Sequence, residues 1–139
     1  MYRNIVFSYE LRDAFNNKVA YIRLDENKTV RFFIQGQKEE AHLPVPDGIM
    51  KEVSLAVSRY ENILQAEDVE KRFIMDGFSQ VIYLCSENEG EIFYTSNLAL
   101  MKGKDKYPKA NQLISFLEEM KKLFATIGVD SRCFALSKE

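Results

Sequence analysis

Two strand-like segments, residues 18–24 and 29–35, stand only four polar residues apart. Both are rich in Val, Ile, Tyr and Phe, side chains that suit a pleated, half-buried surface, and the tetrad Asp25-Glu26-Asn27-Lys28 between them favours a turn. A chain leaves one such segment and enters the next through four residues only by doubling back, so an antiparallel hairpin is the first fixed element. Upstream, residues 3–9 alternate, with Ile5, Phe7 and Tyr9 on one side and Asn4, Val6 and Ser8 on the other, the period of a strand with one buried face. Residues 11–17, with Asp13 and the Asn16-Asn17 pair, read as a loop.

Beyond the hairpin, the polar run 37–40 and Pro44-Val45-Pro46 interrupt regular pairing, because proline lacks a donor and restrains its predecessor, so this stretch reads as a connection. Asp47 is placed to cap a helix over 48–65, whose apolar residues Ile49, Val53, Val57, Tyr60 and Leu64 recur every three or four positions. A short strand is expected at 72–75, ahead of Asp76-Gly77. A second hairpin then pairs 80–86 with 91–95 through Asn88-Glu89-Gly90. Residues 97–107 lack a period and read as an exposed loop. Pro108 suits the first turn of a second helix striped by Leu113, Leu117, Met120, Phe124 and Ile127 and ended by Gly128. Residues 132–136 are expected as a last edge strand or an ordered tail. The order is hairpin, helix, hairpin, helix: a single α+β domain over residues 1–139, its mostly antiparallel sheet of two hairpins plus an N-terminal strand packed by two amphipathic helices.

Composition narrows the function classes. Hydrophobic residues make up 46% and charged residues 29% of the chain, the balance of an ordinary globular protein. Apolar runs such as Ile5-Val6-Phe7 are only a few residues long, so no membrane span is expected. The chain opens Met-Tyr-Arg-Asn and enters a strand without an apolar leader, which makes the cytoplasm the expected compartment. Cys85 and Cys133 share no metal-ligand spacing and read as small core residues. A net charge of -2 with mixed signs gives no general attraction to phosphate backbones, so nucleic acid is not an expected partner.

Catalytic signatures are incomplete wherever they begin. His42 is the single histidine, placed in a loop before Pro44, and Gly77-Phe78-Ser79-Gln80-Val81 lacks the second glycine of a nucleophile elbow. Gly103-Lys104-Asp105 has Leu98 where a phosphate loop needs its upstream glycine and a carboxylate where it needs a hydroxyl. The acidic run 86–91 has the wrong register for a calcium loop, with Cys85 at the first ligand position. Glu10, Asp13 and Asp76 are carboxylates near turns whose pairing a sequence does not reveal. No catalytic residue, metal or cofactor is assigned, and enzymatic activity is not the favoured reading.

The aromatic residues are the least ordinary feature. Tyr21 and Phe33 fall on strand positions beside Arg23 and Arg31, and the second hairpin offers Tyr83 and Tyr94. Rings beside guanidinium groups stack on ligands or anchor partners, yet they serve equally as a sheet face buried under a helix. Burial is the favoured expectation, and a ligand or interface face its alternative.

Residues 73–77 read Phe-Ile-Met-Asp-Gly, a hairpin follows, and Gly103-Lys104-Asp105-Lys106-Tyr107-Pro108 opens the last helix. Here the chain resembles uncharacterised hypothetical proteins of Gram-positive gut bacteria, in which an Asp-Gly turn precedes a hairpin and a Gly-x-Asn-x-Tyr-Pro step starts the last helix. It departs from them in having Asp105 for the asparagine and no tryptophan after Asp-Gly. The resemblance implies an α+β fold in a bacterial protein and brings no activity with it. The functional expectation is therefore a non-catalytic binding or protein-interaction domain, its partner another protein or a second copy docking on a sheet face or free edge. The alternative is a small-molecule or nucleotide-binding domain that uses Tyr21, Arg23, Arg31 and Phe33.

Overall fold

The structure is a computed structural model that describes residues 4–15, 17–65, 78–86, 90–96 and 98–136. The strands are β1 (Ile5–Arg12), β2 (Lys18–Asp25), β3 (Thr29–Ile34), β4 (Ala41–Pro44), β5 (Ser79–Ser86) and β6 (Gly90–Ser96). The helices are α1 (Asp47–Gln65) between β4 and β5, and α2 (Leu98–Met101) and α3 (Pro108–Ala125) after β6, with a 3-10 turn at Ser131–Phe134. One sheet runs in the order β4-β3-β2-β1-β5-β6, and every neighbouring pair is antiparallel. The first strand is therefore internal, flanked by β2 and β5.

Alternation along the strands sorts the side chains. Phe7, Tyr9, Ile22, Leu24, Val30, Phe32, Ile82 and Leu84 turn to one face and are buried there. Both long helices lie on that face: Val53, Ala56 and Val57 of α1 and Leu113, Phe116, Leu117, Met120 and Phe124 of α3 share its core. Phe7 sits at the centre, edge-on to Phe116 at 5.9 Å and stacked with Phe124 and Phe134 at 6.3 and 6.4 Å.

The α+β class and both hairpins match the sequence reading, and four local differences have physical causes. Strand β1 runs on to Arg12 because β2 and β5 both pair with it there. The loop is correspondingly short, closed by the Asp13 carboxylate, which accepts from the Phe15 and Asn17 amides at 2.9 Å. The expected connection at 37–46 contains β4, an edge strand in which Pro44 is the last residue, a place where a missing donor is tolerated. Asp47 does not cap α1 from outside; it is the first helical residue and pairs with Lys28 Nζ at 2.6 Å, while the Pro46 carbonyl accepts from Ile49 and Met50. The short helix α2 occupies part of the expected loop at 97–107.

The C-terminal segment is the ordered tail among the two expected alternatives, not an edge strand. At the end of α3 the Val129 amide donates to Phe124 O and the Gly128 amide to Ala125 O, with Gly128 at φ +102°, the left-handed stop that glycine accepts readily. The chain then crosses the sheet and buries Val129, Cys133 and Phe134. Tyr9 Oη donates to Ala135 O, and Gln80 Nε2 donates to Leu136 O, each at 2.7 Å. Cys133 is the core residue expected. Cys85 is exposed, a correction explained by its place one step out of alternation with buried Leu84. The expected strand 72–75, with Asp76-Gly77, and the turn residues Asn88-Glu89 lie outside the described residues.

Candidate functional site

The outer face of the sheet, turned away from α1 and α3, gathers the polar and aromatic residues of the first hairpin. Register sets them in two rows. Glu10, Tyr21 and Phe33 lie side by side across β1, β2 and β3, and Ser8, Arg23, Arg31 and His42 form the next row, which reaches β4. Tyr21 and Phe33 are half-buried and stack at 5.8 Å. The Arg23 guanidinium lies 4.6 Å from the centre of the Tyr21 ring, and Lys18 Nζ lies 5.8 Å from it, within the range of cation–π attraction.

Glu10 is the hub. Its side chain is only 1% exposed, which for an isolated carboxylate would be prohibitive. Three cations answer it: Arg12 through Nε and a second nitrogen at 3.1 and 2.8 Å, Arg23 at 3.0 Å and Lys18 at 3.6 Å. Lys18 reaches this side because the β1–β2 register shifts after Leu11, leaving Val19 without a paired residue on β1. Burial acts to raise the Glu10 pKa, but hydrogen bonds from Arg12 and Arg23 and the charge of Lys18 outweigh it and hold the carboxyl below its ordinary value. Three cations thus gather around one buried carboxylate. Arg23 Nε is buried with no hydrogen-bond partner.

On the β3 side the balance reverses. Arg31 pairs with Asp25 at 3.1 Å and lies 3.7 Å from Glu40, which also accepts from Tyr21 Oη. Burial, then the Glu40 hydrogen bond, push the Tyr21 hydroxyl up to about 12. The face thus sets cations around one carboxylate on the β1–β2 side and two carboxylates, Asp25 and Glu40, around one cation on the β3 side.

Of the residues singled out from the sequence, Tyr21, Arg23, Arg31 and Phe33 form this one group. The favoured expectation of burial beneath a helix does not describe them: α1 and α3 pack against each other, with Tyr60 of α1 5.1 Å from Phe116, and both occupy the opposite face. Tyr83 extends the second row by register, beside Ser8, but is only 1% exposed. Tyr94 pairs with Ile82, out of step with the Tyr83–Phe93 pair, so the register places it on neither row. His42 is on β4 opposite Arg31, not in a loop. Sequence reasoning passed over Glu10 as an organiser, and over Arg12, Lys18 and Glu40. The available signal was an acidic residue inside an alternating strand, across the hairpin from basic ones.

A cleft of about 800 Å³ opens on the other face, beside the C-terminal segment. Its floor includes Leu11, Val19, Ala20 and Phe134, already buried by their neighbours. Two of its rim cations are matched, Lys121 by Glu118 and Arg132 by Asp130. It offers a ligand less unsatisfied chemistry than the outer face. Among the described residues no group of three or more His, Cys, Asp or Glu is placed to hold a metal ion. No protein-family model matches the chain, and no curated protein matches it in sequence.

Proposed function

We propose that this chain is a non-catalytic binding domain that holds a carboxylate-bearing protein segment on the outer side of its first hairpin. The observation that carries this reading is the stacked Tyr21–Phe33 pair set beside Arg23, whose guanidinium lies by the Tyr21 ring and keeps one buried nitrogen without a hydrogen-bond partner. The rings supply apolar contact area at low conformational cost, and the positive charge of Lys18 and Arg23 attracts a carboxylate and sets its direction along the face. A planar anionic small molecule is the second reading, supported by the unpartnered Arg23 Nε beside the Tyr21 ring.

The test is a titration of isotope-labelled protein, followed by amide NMR, with three probes: a Glu-rich peptide containing one Phe, its Lys-rich counterpart, and a nucleoside monophosphate. Shifts confined to the amides of residues 18–23 and 31–33, seen with the acidic peptide and not the basic one, are expected. Phe33→Ala should weaken that binding about tenfold, the effect of a modest hot spot. Arg31→Glu, at a half-exposed ion pair, should cost about 1 kcal/mol of stability while weakening the acidic peptide further. Response to the nucleotide alone moves the assignment to the second reading. Equal response to both peptides, or shifts elsewhere, rejects the outer face.

A further inference from the structure

Two groups of opposite charge border the stacked rings of the outer face, and each keeps bonding capacity. On the β1–β2 side is Lys18. Its ammonium lies 3.6 Å from Glu10 and 5.8 Å from the centre of the Tyr21 ring, and it makes no hydrogen bond to a described residue. On the β3 side is Glu40, the residue before β4. Because Phe32 pairs with Ala41, Glu40 comes opposite Phe33. One of its oxygens accepts from Tyr21 Oη, while the other, Oε1, lies 3.7 Å from Arg31 Nε, beyond hydrogen-bond distance, and accepts from no described residue. The side chains of Lys18 and Glu40 are 44% and 34% exposed, so both are open to a further partner.

We infer that the segment held on this face is extended, lies across the strands, and presents an acidic, an apolar and a basic side chain at positions i, i+2 and i+4. The inference rests on the outer-face reading and gives its partner a charge pattern. The spacing follows from geometry. From β1, where Glu10 holds Lys18, to the line of β4, where Glu40 sits, there are three inter-strand steps of about 4.8 Å, together ~14 Å. An extended chain advances about 3.3 Å per residue and turns alternate side chains to one face, so i and i+4 stand ~13 Å apart on that face with i+2 midway. A helix covers the same span in about nine residues, which turns the two side chains half a revolution apart. Tyr21 and Phe33 occupy the two strands between, with their rings 5.8 Å apart, and receive the apolar side chain. The acid at i meets Lys18, with Arg23 beside it over the Tyr21 ring, and the base at i+4 meets Glu40 Oε1. A second acid at i+4 would face Glu40 with like charge.

Three end-blocked peptides separate this pattern from acidity alone: Gly-Glu-Ala-Phe-Ala-Lys-Gly, Gly-Glu-Ala-Phe-Ala-Glu-Gly, and Gly-Glu-Lys-Phe-Ala-Ala-Gly, in which the two charges are adjacent. Amide NMR of the labelled protein, with shifts in residues 18–23, 31–33 and 40, should give the first peptide a dissociation constant at least about threefold below the other two, the scale of one exposed ion pair gained or lost. Glu40→Lys should reverse the order of the first two peptides. Glu40→Gln, which keeps an acceptor for Tyr21 Oη, should bring those two level, and it decides the question if Glu40→Lys does not fold. Equal affinity of all three peptides on the outer face, or an order that changes at Glu40 leave unmoved, overturns the inference while the outer-face reading stands. Shifts on that face with none of the peptides reject both.

Discussion

Glu10 shows how one buried charge organises a surface. The carboxylate is sheltered from water, yet every cation around it keeps partial exposure, so the desolvation cost falls mainly on one partner and three contacts offset it. Glu10→Gln should lower stability by about 2 kcal/mol at pH 7, because charge-assisted hydrogen bonds are lost while the cations remain. The pH dependence has a definite sign. The folded-state pKa lies below the unfolded one, so the stabilisation is complete above the unfolded value of about 4.3 and disappears as pH falls through the folded value. Urea denaturation of both proteins from pH 7 to pH 3 checks this: the gap between them should close at the acid end.

At the scale of elements, the sequence was most legible where local chemistry and tertiary demand agree. The first hairpin, α1 and α3 have regular apolar periods and clear turn residues, and these elements form close to the expected bounds. Strand β4 was hidden because Pro44 at its end and Pro46 just beyond it carry a local signal for irregular backbone, whereas the edge of a sheet forgives a missing donor. The loop before α3 is exposed as expected, but it is tied to the helix that follows it. Its lysines read as unstructured, yet Asn111 reaches back from the helix, accepting from the Gly103 amide at 2.7 Å and donating to Lys104 O and Tyr107 O at 3.1 and 2.7 Å. This side chain substitutes for the cap that Tyr107 does not supply. Asn111→Ala should cost about 1–2 kcal/mol, the scale of a lost cap, and accelerate hydrogen exchange at Gly103 while leaving the sheet amides unchanged. The outer-face cluster was half legible: period two announced Tyr21, Arg23, Arg31 and Phe33, but which face the helices would cover depends on α1 and α3 packing together, a long-range fact with no local signature.

Across the whole molecule, the last described residues complete the core begun by the first strand. Phe134 stacks on Phe7, Tyr9 and Phe124 at 6.4, 6.0 and 6.0 Å. Removing its ring leaves a void bounded by residues from both ends of the chain. Phe134→Ala should therefore cost about 3–5 kcal/mol, measurable as a lower urea midpoint, and should raise the reactivity of neighbouring Cys133, whose thiol burial pushes up to about 12. The hydrogen bond from Tyr9 to Ala135 joins positions 126 residues apart, and β1 waits for β5 to fill its second edge. A growing chain can form the first hairpin early, but its apolar face is not fully covered until α3 and residues 129–136 follow. Closure of this domain thus comes late in its folding, and until then the half-finished sheet is a natural client for chaperones.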